Sequence, residues 1–181
     1  MINVLALDLG SKTGWALQEQ GRIESGVQVF DVKRGESPGM RYVRFRRWLN
    51  ELAFVTSAPL SAWTLDLIVF EQAHHRGGAA TEVAAGLSTR VQEFCAERGI
   101  EHAAVHSATL KKFVTGSGRG DKADMLAHAM KRGWIDGETW LPQTRLKDDN
   151  EVDAVCLLHY ALAELVPRSA EGGAPSRSGT P

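Results

Sequence analysis

Residues 2–9, INVLALDL, form a short apolar run rich in branched side chains and ended by Gly10, a pattern that predicts a buried strand. Gly10-Ser11-Lys12-Thr13-Gly14 reads as turn chemistry. Trp15-Ala16-Leu17 predicts a second strand, Gly21-Arg22 a turn, and residues 26–30 a third strand. Connections this short favour an antiparallel meander. From residue 40 to 55 the spacing becomes helical, with Tyr42/Val43, Phe45, Trp48/Leu49 and Leu52 recurring on one side. Arg41, Arg44, Arg46 and Arg47 take much of the other surface, which reads as a plain exposed face. Trp15 and Trp48 are expected in the core.

Residues 65–70 predict a fourth, buried strand that ends in Glu71, followed by a polar loop with His74, His75 and Arg76. Residues 82–98 predict a helix stopped by Gly99, and 102–105 a short strand. Ser107 is expected to cap a short helix through Val114. A Gly-rich loop at 116–120 leads into a helix over 121–132, and 134–147, with Pro142, reads as irregular. The last helix is predicted over 148–165. The order implies an α/β domain: a mixed five-stranded sheet, three antiparallel strands plus two parallel ones joined by helical crossovers, with helices on both faces.

At 181 residues the chain fits a single domain, expected over 1–166. The 167–181 tail is rich in Pro, Gly and Ser and is expected to be disordered. With 21 Lys+Arg against 22 Asp+Glu, the net charge is -1, so a nucleic-acid site must be a local patch. Two widely separated cysteines, Cys95 and Cys156, exclude a disulfide framework and zinc spacing. The absence of a long apolar run or a basic leader argues against a membrane span and a secretory signal, and a reducing cytoplasm is the expected location.

Four carboxylates stand out by position. Asp8 is embedded in the first apolar strand, Glu71 ends the fourth, and Asp149 and Asp153 lie one turn apart at the start of the last helix. A carboxylate inside a buried strand costs several kcal/mol unless paired or metal-bound. If strands 1 and 4 are neighbours, Asp8 and Glu71 face one point, and the helix start closes it. Clustered carboxylates repel, and a hard cation such as Mg²⁺ or Mn²⁺ relieves that repulsion. Each residue also has a plainer reading: Asp8 bonding the turn amides, Glu71 as a strand end, Asp148 and Asp149 as helix caps. The joint pattern carries the metal reading.

Between Lys111 and Arg132 lie six basic residues, Lys111, Lys112, Arg119, Lys122, Lys131 and Arg132, against Asp121 and Asp124. The Gly-rich backbone at 116–120 permits close approach of a phosphate, and the helix start that follows is expected to offer free amides. Gly10-Ser11-Lys12-Thr13 lacks the order and spacing of a P-loop. Trp63, Trp134 and Trp140 are too scattered for a base-stacking platform.

These residues resemble RuvC-type Holliday junction resolvases, in particular the phage-type branch of the RNase H-like superfamily. The resemblance spans roughly residues 2–165 and rests on LALDLGSKTGWA at 5–16, IVFEQ at 68–72, LKKFVTGSGRGDK at 110–122 and DDNEVDAVCLLHYAL at 148–162. It implies an RNase H-like fold and a four-ligand metal site in which Asp8, Glu71 and Asp153 match family positions. The fourth family ligand sits three residues before the last and falls on Asn150 here, so Asp149 is expected to take that role, with Asn150 a weaker oxygen donor. The family's basic pair at the scissile phosphate matches Lys111 and Lys122, with Lys112 and Arg119 beside them. The resemblance further implies two Mg²⁺ ions, replaceable by Mn²⁺, cuts that leave 5′-phosphate and 3′-hydroxyl ends, a four-way or branched DNA substrate, and a homodimer matching the two-fold substrate. The Asp-x-Gly-Ser…Gly14 segment also resembles the phosphate motif of the sugar-kinase and actin ATPases, but the chain has no room for their second domain. Another nuclease of the fold, acting on hybrids or forks, and a non-catalytic branched-DNA-binding protein are the competing readings.

Overall fold

Strand β1 (Val4–Asp8) is apolar at every position up to its last because both of its faces are covered. Val4 and Ala6 enter one core cluster, Leu5 and Leu7 the other, and all four are fully buried. The computed structural model describes residues 2–54, 65–72, 77–135 and 148–166. Trp63, His74, His75, Arg76, Trp140, Pro142 and the 167–181 tail lie outside the described residues.

The sheet order is β3-β2-β1-β4-β5. β2 (Lys12–Glu19) and β3 (Arg22–Val29) continue β1 as an antiparallel meander, while β4 (Leu67–Glu71) and β5 (Glu101–Val105) run parallel to it. Both meander strands are longer than their apolar runs imply. They close through a two-residue turn in which Gln20 and Gly21 both have positive φ, 49° and 82°, as a tight hairpin matched to strand twist requires. Main-chain pairing then extends from Glu19↔Arg22 to Lys12↔Val29 whatever the side chains. Lys12, Thr13 and Gly14, read from sequence as a turn, are therefore strand residues.

α1 (Met40–Phe54) and α2 (Ala79–Arg98) cover one face through Phe45, Leu49, Leu87, Val91, Phe94 and Cys95. Trp15 and Trp48 pack half-buried against this layer. On the other face lie α3 (Ser107–Thr115), α4 (Lys122–Lys131) and α5 (Asp149–Glu164), with Leu110, Val114, Met125, Ala129 and Cys156 in their core. Each layer thus holds one buried free cysteine.

Helix ends differ from expectation in two places. Residue 106, not Ser107, occupies the α3 cap position, and Ser107 is the first helical residue. The α4 start is closed by its own capping box: Asp121 accepts from the Asp124 amide at 2.9 Å, and Asp124 accepts from the Asp121 amide at 3.1 Å. The free amides expected there for a phosphate are partly taken, and two carboxylates stand in their place. The arginines of α1 are also engaged rather than idle. Arg41 donates to the Phe30 carbonyl at 2.9 Å, Arg44 pairs with Glu36, Arg46 with Glu97 and Arg47 with Glu51.

Candidate active site

Side-chain parity along the two central strands brings the first two carboxylates together. Val4, Ala6 and then Asp8 alternate toward the α5 layer, as do Leu67, Val69 and then Glu71. The parallel register pairs Leu7 with Phe70, so Asp8 and Glu71 stand level, one step further along adjacent strands. α5 crosses β1 and β2 on that face and holds Asp153 near enough to Asp8 to act on its charge. Asp153, Glu71 and Asp8 act on one another electrostatically.

All three are half-buried. Among the described residues, no hydrogen bond reaches their carboxylates. Burial, then the charges of Asp153 and Glu71, push the Asp8 carboxyl up to about 7 against the weaker pull of Lys122. Burial likewise pushes Asp153 up to about 6, with Lys122 opposing and Glu71 and Asp149 reinforcing the rise. A cavity of about 220 Å³ opens beside Asp8 and Glu71, bounded by Leu9, Gln72, Ala80, Thr81 and Ala84.

The start of α5 is seated on β2 by a contact that sequence reading missed. Asp8 pairs with Gly14, and a Cβ at Gly14 would lie 1.8 Å from the Asn150 carbonyl oxygen and 2.2 Å from its carbon. Only a residue without a side chain lets the helix lie this close. Asn150 turns its side chain to the same strand and donates Nδ2–H to the Lys12 carbonyl at 3.2 Å. Asp148 is the α5 cap, accepting from the Asn150 amide at 3.1 Å, and forms an ion pair with Lys12. Asp149 points elsewhere and pairs with Lys122 across 3.3 Å. Glu151, also unmarked in the sequence, is buried and accepts from Ser25 Oγ at 2.7 Å.

Of the basic residues, Lys111 and Lys122 both act on Asp153. Burial lowers the Lys122 ammonium, but Asp149, Asp153 and Asp8 together hold it above its ordinary value. Lys112 and Arg119 are exposed and are not among the leading charges on Asp8 or Asp153.

An oxygen-only donor set, desolvated and short of hydrogen-bond donors, suits a hard divalent cation. Among the described residues, no three His, Cys, Asp or Glu side chains stand close enough to enclose one ion as the side chains are placed. The donor chemistry fits such an ion.

No protein-family model matches the sequence, and no curated protein matches it significantly. Solved structures do. The chain is similar to the structure of Thermus thermophilus RuvC, with 15% identity and a TM-score of 0.64 over 90% of this chain and 96% of that one. The fold is RuvC-like. A second match is T. thermophilus RuvC in complex with Holliday junction substrate, with 13% identity and a TM-score of 0.63 over 87% of this chain and 90% of that one. The mixed sheet, with helices on both faces, agrees with the RNase H-like architecture expected from the motifs. Among the described residues, no helix of this RuvC-like domain is long and apolar enough to cross a membrane.

Proposed function

We propose that the chain is a divalent-metal-dependent endonuclease that resolves Holliday junctions or other branched DNA. The observation that carries this reading is the gathering of Asp8, Glu71 and Asp153 at the ends of two parallel strands and one helix, all half-buried and unmatched by hydrogen bonds from the described residues. The RuvC-like fold and the junction bound by the T. thermophilus neighbour support it.

Asp8, Glu71 and Asp153 would hold Mg²⁺ or Mn²⁺, two ions in all, with Asp149 as the fourth ligand. Asn150 remains the weaker candidate, because its amide group is already bound to β2. An ion held there would supply Lewis-acid stabilisation of the phosphodiester and activation of water at neutral pH. The chain's own residues do the rest. Lys111 and Lys122 hold the phosphate against the acidic pocket, and Gly14 keeps the α5 start, and with it Asp153, seated on the sheet. The products carry 5′-phosphate and 3′-hydroxyl ends. Two symmetric cuts in a four-way junction call for a homodimer with two-fold symmetry.

Cleavage of a four-way junction, a fork, an RNA–DNA hybrid and a linear duplex, side by side in Mg²⁺ and Mn²⁺, tests the reading. Paired, ligatable nicks in the junction are expected. Cleavage of the hybrid alone replaces the junction reading with a ribonuclease H activity. Tight junction binding without cleavage under either metal makes the chain a branched-DNA-binding protein.

A further inference from the structure

Lys12 opens β2 on the strand face that also carries Gly14 and Ala16, the face turned to α5. Its backbone is pinned. The Lys12 carbonyl accepts from Asn150, the Ser11 carbonyl accepts from the Phe30 amide at 2.7 Å, and buried Thr13 donates to the Gly10 carbonyl at 2.7 Å. The side chain is not pinned in the same way. It is 48% exposed and, among the described residues, held at its tip by the Asp148 carboxylate. Asp148 in turn is close enough to act electrostatically on Asp8 and to feel Lys122. Two ammonium groups, from β2 and from α4, therefore flank the α5 start, each on an exposed or partly exposed acid.

An exposed ion pair in water contributes little, so exchanging its carboxylate for another anion costs little. A DNA phosphate arriving at Asp8 and Asp153 meets the repulsion of Asp148 and Asp149 unless their lysines turn outward to it. Lys12 needs only side-chain rotation to do so, because its main chain is fixed at the rim of the pocket.

We propose that Lys12 is a third phosphate-binding lysine of this site, stored on Asp148 in the free protein and transferred to a DNA phosphate on binding. The inference rests on the branched-DNA reading above. It makes Asp148 a competitor of the substrate as well as a helix cap.

The test uses the full chain and a fluorescent four-way junction in EDTA, where binding is read without cutting. Lys12→Ala is expected to weaken binding about 3- to 10-fold at low salt and to flatten the log Kd against log salt plot by about 0.9, one phosphate contact. Lys12→Arg is expected to restore both. Asp148→Asn keeps an equally good helix cap while removing the charge. It is expected to tighten binding about 3-fold with Lys12 in place, and clearly less in the Lys12→Ala background.

A structural ion pair predicts instead that both single variants weaken binding together, alongside a common fall in Tm. That result, an unchanged salt slope in Lys12→Ala, or equal tightening by Asp148→Asn with and without Lys12 overturns the inference while leaving the nuclease reading in place. Failure of the unaltered chain to bind junction or duplex overturns both.

Discussion

Asp8→Asn is expected to abolish metal-dependent cleavage, by at least about 10³-fold, and at the same time to stabilise the metal-free protein at neutral and alkaline pH. The two effects share one cause. The folded site accepts Asp8 most readily as the neutral acid, since burial, Asp153 and Glu71 all raise its pKa, from 3.8 to about 7. A group raised in the fold contributes its stability in full below its unfolded pKa and loses it as pH climbs through the folded value. The metal-free protein should therefore lose stability between about pH 4 and pH 7, by at most about 4 kcal/mol from Asp8, with Asp153 adding to the fall up to about pH 6. Asparagine copies the neutral carboxyl in shape, so the variant should keep what the unaltered chain loses. Divalent ions stabilise the ionised form, so Mg²⁺ should raise Tm at pH 8 far more than at pH 5, and hardly at all in the variant. Melting curves across pH, with and without Mg²⁺, measure this. A variant that melts below the unaltered chain at pH 8, or an equal Mg²⁺ response in both, would refute the account.

Gly14→Ala should be the most disruptive single methyl in the site. Its Cβ would sit 1.8 Å from the Asn150 carbonyl oxygen and 2.8 Å from the Glu151 nitrogen, both main-chain atoms that no rotamer change can move. The start of α5 must lift off β2, and the network of Asn150, Lys12 and Asp148 goes with it. Overpacking typically costs about 1–3 kcal/mol, and a clash with fixed main chain falls at the upper end. Where the variant still folds, Asp153 is displaced, and a misplacement of about 1 Å is enough for a rate loss of about 10²-fold. Gly10→Ala is the milder comparison, since its Cβ meets nothing nearer than the Lys12 carbonyl oxygen, at 3.2 Å. Denaturant unfolding and single-turnover cleavage of both variants distinguish them. Near-native stability in Gly14→Ala would mean that α5 is not seated as described.

What could be read from sequence was what a strand or helix does with its own side chains. The unbroken apolar run of β1 and the acid ending β4 were legible, and parity then puts Asp8 and Glu71 on one side; Asp8, read as embedded in its strand, is instead the last residue of β1. The spacing of Asp149 and Asp153 follows from the helix repeat. What escaped depends on partners distant in the chain. The Lys12–Asp148 pair joins β2 to α5, Ser25 buries against Glu151, and Gly14 is chosen by a carbonyl of residue 150. The lengths of β2 and β3 were hidden because main-chain pairing sets them and side-chain pattern does not. The α4 start was misread for a different reason. Asp121 and Asp124 were counted as charges among lysines, whereas their three-residue spacing is the signature of a reciprocal cap.

The placement of the two thiols has a practical consequence. Burial pushes Cys95 up to about 11 and Cys156 up to about 12, so neither reacts while its surroundings stay closed. One lies on the buried side of α2 and the other on α5, a single turn beyond Asp153. Alkylation kinetics under native conditions would thus time the opening of each half separately, without any introduced label. Faster modification of Cys156 would identify detachment of α5 as an event of its own, ahead of global melting.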